Sequence, residues 1–335
     1  MRIAVDAMGG DHAPQEILLG AKSALGLLTK EDELHIYGPL ERVQAECARH
    51  GIADPRIHFI HCSQTIEMDD SPVEALKQKQ DSAINKMAQD AGRGILDVII
   101  SAGNTGAFAA ACQLRIKRIP GVSRPGIAVV MPTFHGPVVI CDVGANVNPK
   151  SHHLHEYARM CTVFARAILK IDKPKIGLVS VGEEEAKGNQ LTKDAFNLIK
   201  SDPSLNFVGN VEGRDIFSGV GNVFVCDGFV GNVVLKLTEA LAEGLFKTIM
   251  HEIQEDSPQL LAQFKPVMDR IWKRHDFAEY GGAPLLGVNS VAIICHGRSD
   301  ARAIYNAVRH GAELHRGRLN AVIADQLATG SGEPA

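Results

Sequence analysis

Short runs of β-branched and aliphatic residues alternate along the chain with stretches whose apolar positions recur every three or four residues. The runs at 2–6, 33–38, 56–62, 96–101, 126–132 and 137–142 predict strands, as do those at 175–181, 206–211, 222–227 and 291–295. Helical patterns fill many of the gaps. That alternation is the signature of an α/β fold in three layers, a mostly parallel sheet with helices on both faces. Ile17, Leu18, Ala21 and Leu25 mark the apolar face of a helix expected to open at Asp11 and Pro14. Ser71-Pro72-Val73-Glu74 has the form of a capping box with proline at the first helical position. It predicts a helix ending near Gly92 or Gly94.

One region breaks the rhythm. Leu237, Leu241, Leu245, Ile249 and Ile253 fall at steps of four, which predicts a long amphipathic helix. Ser257-Pro258 then opens a second, with Leu260, Leu261, Phe264, Val267, Met268 and Ile271 apolar and a kink or split expected at Pro266. The pair is a helical hairpin inserted at about 233–274. Its apolar stripe suits a covering layer or a dimer interface. Lys265, Arg270, Lys273 and Arg274 beside Trp272, with Asp269 the only acid from Pro258 through His275, suit contact with a membrane surface instead. The two readings are compatible.

A chain of 335 residues can bury a large core, and 45% apolar with 22% charged residues is ordinary for a soluble protein. A formal charge of -4 argues against nucleic acid held by a general basic field. No apolar run is long enough to cross a bilayer, and the N-terminus has no signal-peptide pattern. Seven cysteines without a CxxC pair read as reduced core thiols in a cytoplasmic protein. His152, His153 and His155 lack an HExxH context and read as a solvated helix start. The tail, about 315–335, is expected to be partly disordered.

Candidate chemistry lies in glycine-rich loops after predicted strands, where backbone amides and a helix N-terminus can receive an anion. They are Ser101-Ala102-Gly103-Asn104-Thr105-Gly106-Ala107, Asp142-Val143-Gly144-Ala145-Asn146, and the loop from Gly182 to Asn189. Asp227-Gly228-Phe229-Val230-Gly231-Asn232 and His296-Gly297-Arg298-Ser299-Asp300 complete the set. Such turns also exist simply to make a bend. Lys187 is the one lysine in these loops, suited either to bind phosphate or to pair with Glu183, Glu184 or Glu185. No GxSxG elbow or GxxxxGK[ST] loop is present.

The stretches IAVDAMGGDHAP (3–14), SAGNTGA (101–107), DVGAN (142–146), GEEEAKGN (182–189), DGFVGN (227–232), YGGAPLLGVN (280–289) and HGRSDA (296–301) run in order through the whole chain. They resemble the bacterial phosphate acyltransferase family, which transfers a fatty acyl group from acyl carrier protein to inorganic phosphate for phosphatidic acid and phospholipid synthesis. Ser290, Cys295 and Arg298 depart from the family pattern and bear on substrate preference more than on the reaction. The resemblance implies a two-lobed fold over 1–314, similar to phosphotransacetylases and to isocitrate and isopropylmalate dehydrogenases. It also implies a homodimer, no cofactor or metal, and peripheral attachment to the inner face of the cell membrane. A membrane glycerol-3-phosphate acyltransferase would be a partner. Lys187 and Asn232 become the catalytic candidates. Gly9, Gly10, Asp11 and His12, then Ser101, Gly103, Asn104, Thr105 and Gly106, then Asn146, Gly188, Asn189 and Gly231 would line the substrate cleft.

Phosphate is itself a nucleophile, so the implied reaction needs positioning and charge stabilisation, not an acyl-enzyme. Two other readings stay open. A nicotinamide- and metal-dependent decarboxylating dehydrogenase of the same fold would need a dinucleotide site, and no GxGxxG follows the first strand. A non-catalytic membrane-associated scaffold would leave the glycine loops without a purpose.

Overall fold

A computed structural model of the chain describes residues 1–256, 258–275 and 277–329. The strands are Arg2–Asp6 (β1), Glu33–Gly38 (β2), Ile57–His61 (β3), Val98–Ser101 (β4), Gly126–Met131 (β5) and Val138–Cys141 (β6). Lys175–Val179 (β7), Asn206–Val211 (β8), Val223–Val225 (β9), Ala283–Leu286 (β10) and Val291–Ile294 (β11) follow. Among the described residues they form one sheet in the order β3-β2-β1-β4-β11-β10-β5-β6-β9-β7-β8. β3, β2, β1, β4 and β11 are parallel. β10 runs antiparallel to both β11 and β5, and β6 is antiparallel to β5. β6, β9, β7 and β8 are parallel again. The sheet is therefore two parallel blocks of opposite direction, joined through β10 and β5.

The helices are Gln15–Ala24 (α1), Leu40–Arg49 (α2), Pro72–Gln78 (α3), Ala83–Gly92 (α4), Thr105–Arg115 (α5) and Ser151–Leu169 (α6). Gln190–Lys200 (α7), Gly228–Asp256 (α8), Leu261–His275 (α9), Ala301–Arg316 (α10) and Leu319–Thr329 (α11) complete the set. Strand alternation divides the core between the faces of the sheet. Ile3, Val5, Val98, Ile100 and Ile293 point into the layer of α1, α6, α10 and α11, with Tyr157 and Phe164 buried there. Ala4, Ile99, Ala292 and Ile294 point into the layer of α4 and α5, with Met87 and Phe108. All seven cysteines are free and buried in this core.

Several sequence expectations are corrected. Helix α1 starts at Gln15, without a side-chain cap; the backbone N–H of Asp11 donates instead to Gly297 O at 2.8 Å. The single helix expected from Ser71 is two, and Ser71 forms no side-chain cap. The break comes because Asp81 is held by the N–H and hydroxyl of Ser63 and by Lys86, and Ser82 Oγ then caps α4 from Asn85 N. Strand β10 is not among the expected strands: it carries Pro284 and follows Gly281 and Gly282, both at positive φ. His153 is buried, not solvated, and His155 Nε2 lies 2.7 Å from Asp202 Oδ2. Residues 319–329, assigned to the tail, are α11, packed on α6 through Leu319, Ile323 and Leu327, with Arg159 donating to the carbonyls of Gln326 and Leu327. Residues 330–335 lie outside the described residues.

The hairpin is present and longer than expected. Helix α8 spans 29 residues from Gly228 and buries only Gly228 and Gly231 fully. Pro266 lies inside α9 without dividing it. Ser257 and the side chains of Trp272, Lys273 and Arg274 lie outside the described residues.

Candidate functional site

The loops after β1, β4 and β11 are stitched together by backbone approach. A Cβ on Gly9 would sit 2.6 Å from Gly103 N, and one on Gly10 (φ +99°) would sit 2.8 Å from Gly297 O. Beneath them Asp6 is almost fully buried. It accepts from Ser101 Oγ at 2.8 Å and from Met8 N at 3.1 Å, while Ser101 Oγ accepts from Gly103 N at 3.1 Å. Burial pushes the Asp6 carboxyl up to about 6, against the opposing pull of Ser101 and the Met8 and Gly9 amides. Asn104 caps α5 by accepting from Ala107 N at 2.9 Å, and its amide donates to the carbonyls of Glu67, Met68 and Asp70. A Cβ on Gly106 would meet Pro72 at 2.7 Å, so that glycine lets α3 approach α5. The side chains of Asp11, His12 and Thr105 are exposed.

A second cluster forms where β6, β9 and β7 end side by side. Asp142 is fully buried, with Oδ1 accepting from the N–H groups of Ile127, Gly144 and Ala145 at 3.0–3.2 Å. Its Oδ2 accepts from Asn146 N at 2.7 Å and Asn146 Nδ2 at 3.2 Å. Burial holds this carboxyl above its usual range, and the same amides moderate the shift. Asn146 Nδ2 also lies within hydrogen-bond distance of Pro125 O and Tyr157 Oη, at 2.7 and 2.9 Å. The start of α8 is pressed onto this turn. A Cβ on Gly231 would fall 1.9 Å from Asp142 O, so only glycine fits there. Asp227 Oδ1 caps α8 from Phe229 N and Val230 N, both at 2.9 Å. Asn232 is then exposed over Gly144, with Oδ1 3.8 Å from where a Gly144 Cβ would stand.

Lys187 sits in the loop after β7, the neighbour of β9. Its stem packs on Gly182, while Glu185 pairs with Lys200 at 2.5 Å and Glu183 lies 3.8 Å from Arg214. Among the described residues Lys187 forms no ion pair, so the reading in which it merely neutralises a neighbouring glutamate is not what the fold adopts. Asn189 caps α7 from Thr192 N at 2.9 Å. Gly188 (φ +97°) fits against Thr192 and Ser180 Oγ. Ser180 Oγ and Asn210 Oδ1 are buried without a hydrogen-bond partner beneath this loop, and Asn210 Nδ2 donates to Glu184 O at 2.9 Å.

The glycine loops do not gather along one edge of the sheet. They form two groups at opposite strand ends, because β6, β9 and β7 run against β1, β4 and β11. Helix α8 connects the groups. Asn232 lies over the second cluster, and Glu243, ~16 Å further along the axis, meets Arg298 of the first at 3.8 Å. Of the proposed site residues, Asn104, Asn146, Asn189 and Ser101 have side chains engaged in holding turns and caps. Lys187 and Asn232 present polar ends to solvent. Sequence reading passes over Asp6 and Asp142, each an acid ending an apolar strand just before a glycine turn.

Comparison with known proteins agrees in extent with the motifs. Residues 1–321 match the family model described as fatty acid synthesis protein. The chain is 46% identical over 312 residues to a phosphate acyltransferase of Desulfitobacterium hafniense, covering 92% of each. It is 43% identical over 335 residues to a phosphate acyltransferase of Geotalea daltonii, covering 98% of this chain and 94% of that protein. Among solved structures, a phosphotransacetylase from Streptococcus pyogenes matches with TM-score 0.63 at 21% identity, over 93% of both chains. One from Staphylococcus aureus matches at 0.61 and 16%, over 93% of this chain and 94% of that one. At such identity the solved structures share the fold.

The raised Asp6 carboxyl carries a stability consequence. Between the unfolded value near 3.8 and the folded value of about 6, the native state retains a proton that the unfolded chain has lost. Stability contributed by this group therefore falls as pH rises through that window. Asp6→Asn should flatten the decline and gain up to ~3 kcal/mol over wild type at neutral pH. Urea unfolding of both proteins at pH 4.5 and 7.5 measures this; an identical pH dependence in the two would show that Asp6 titrates normally.

Proposed function

The chain belongs to the phosphate acyltransferase family and is an acyltransferase, and from that premise we propose that it transfers a long-chain fatty acyl group from acyl carrier protein to inorganic phosphate. The acyl-phosphate would supply phosphatidic acid and phospholipid synthesis through a membrane glycerol-3-phosphate acyltransferase. The observation that carries the site assignment is that Lys187 and Asn232 stand on adjoining strand ends with polar groups not engaged by the fold. A phosphate oxygen attacks the thioester carbonyl, a C–O bond forms, and the carbonyl oxygen becomes an oxyanion. The C–S bond then breaks and the departing thiolate takes up a proton, with no change of oxidation state. Lys187 holds the phosphate, and the Asn232 amide donates to the oxyanion. Each task is electrostatic, which is why no cofactor enters.

The exposed faces of the hairpin suggest how the enzyme is deployed. Leu237, Leu241, Leu245 and Ile249 form an exposed stripe on α8, suited to a second copy of the chain in a homodimer. On α9, Leu261 and Met268 turn inward while Phe264, Val267 and Ile271, with Leu260 just before the helix, remain exposed beside Lys265 and Arg270. That face suits the anionic inner surface of the cell membrane. No helix among the described residues is long and apolar enough to cross a membrane.

Turnover of acyl carrier protein thioester should require inorganic phosphate and yield acyl-phosphate; hydrolysis without phosphate dependence would remove this function. Lys187→Ala should lower turnover by roughly 100- to 1000-fold with the fold intact by circular dichroism. Asn232→Ala should depress kcat more than it raises KM, and Asn232→Asp should be at least as damaging, because it sets a negative charge beside a developing one. An Asn232→Asp protein as active as wild type would end the oxyanion assignment. Leu260→Glu combined with Phe264→Glu should release the protein from anionic vesicles while preserving the dimer and turnover. A monomer without activity would place the dimer seam on α9 instead.

A further inference from the structure

We propose that Glu33, His35 and His58 form a binding site for a divalent transition metal such as zinc. The site lies at the β2–β3 margin, at the other end of the strand order from Lys187 and Asn232. His35 and His58 are direct register partners on neighbouring strands, and Glu33 precedes His35 by two residues, so strand alternation sets all three on one face. Their ligand atoms lie within 4.8 Å of one another. Glu33 Oε2 is 2.8 Å from His35 Nε2 and 3.9 Å from His58 Nε2. Donors around a tetrahedral zinc stand roughly 3.4 Å apart, given metal–ligand bonds near 2.0–2.1 Å. The two separations to Glu33 bracket that value, and small side-chain rotations would bring the donors to the spacing of the ion.

The arrangement is more than an ion pair requires. One imidazole would satisfy the carboxylate, yet both rings turn toward the same oxygen, with centroids 5.0 Å apart. Two imidazoles and a carboxylate favour zinc, cobalt, nickel or copper over magnesium or calcium. The side chains of His58 and Glu33 are 45% and 43% exposed, leaving the remaining coordination positions to water. The cysteines, all buried, offer no competing surface site. On binding, the proton that His35 shares with Glu33 moves to the other ring nitrogen or to solvent, and the ion clips the outermost strand to its neighbour.

The test uses untagged, chelator-treated protein titrated with zinc by calorimetry and with cobalt by visible absorption. One equivalent should bind, and zinc should raise Tm because the ion binds only the folded state. His58→Ala should abolish both effects without changing the Tm of the metal-free protein. Glu33→Gln should weaken binding by at least the roughly 10- to 100-fold that loss of an outer partner costs. Among the described residues His152 and His153 are also adjacent imidazoles, with centroids 4.1 Å apart, so His152→Ala is the control and should bind as wild type does. No stoichiometric binding, or binding that survives His58→Ala or is lost in His152→Ala, would overturn the proposal.

Discussion

The constraint on which the molecule depends is the reversal of strand direction across β10 and β5. A parallel sheet offers its ligand loops at the carboxyl ends of its strands. In this chain the reversal divides those loops between two ends. β10 is also the least independent strand: Ala283 and Pro284 pair with β11, and Leu285 and Leu286 pair with β5. Four residues thus carry the sheet from β11 to β5, whose pairing with β6 completes the bridge, and neither block would present its loops in this relation without them. The glycines before the strand, Gly281 and Gly282 at φ +74° and +80°, supply the turn that admits it.

Helix α8 then converts that topology into the candidate site. Its first turn can rest on the Asp142 loop only because Gly228 and Gly231 lack side chains. A Cβ at either would stand 2.8 Å or less from a backbone oxygen of the loop. The loop in turn keeps its shape because a buried carboxylate gathers amide donors that would otherwise be unsatisfied in the interior. A residue as exposed as Asn232 is therefore positioned by groups with no access to solvent. The same logic operates at Asp6 under Gly9 and Gly103. Each half of the sheet ends in an interior aspartate that organises a glycine turn.

How much of this can be read in the sequence follows from which interactions are local. Strand alternation and the step-of-four leucines of α8 are local periodicities, and both appear where expected. What the leucines face is a matter of assembly and leaves no trace in the pattern. β10 escapes sequence reading because its pairing is wholly non-local and Pro284 argues against a strand. α11 escapes it although Leu319, Ile323 and Leu327 recur at the same step of four, because the small, polar end of the chain makes the whole tail read as frayed. Asn104, Asn146 and Asn189 show a deeper ambiguity. An asparagine beside a glycine turn is equally suited to cap a helix or to meet a ligand, and in this fold those amides cap or brace. Lys187 and Asn232 are legible through family motifs, and the structure adds that nothing among the described residues engages their polar ends.

Their exposure sets a physical requirement on the catalysis proposed for them. A unit charge 4 Å from another is worth about 1 kcal/mol in bulk water and about 4 kcal/mol at the effective dielectric of a protein surface. The stabilisation that the proposed role asks of Lys187, on the order of 3–4 kcal/mol, is therefore available only when water has been displaced from around it. Among the described residues no side chains enclose Lys187 or Asn232, so the acyl donor must supply much of that exclusion as it binds. Placing Glu183 and Glu185 against Arg214 and Lys200 matters for the same reason. Once water leaves, an unpaired carboxylate beside Lys187 would compete with phosphate far more strongly than it does in solution. Two of the loop's three glutamates are thus held by residues outside the loop, and with Glu184 alone lacking an ion-pair partner among the described residues, an anion beside Lys187 competes with one free carboxylate instead of three.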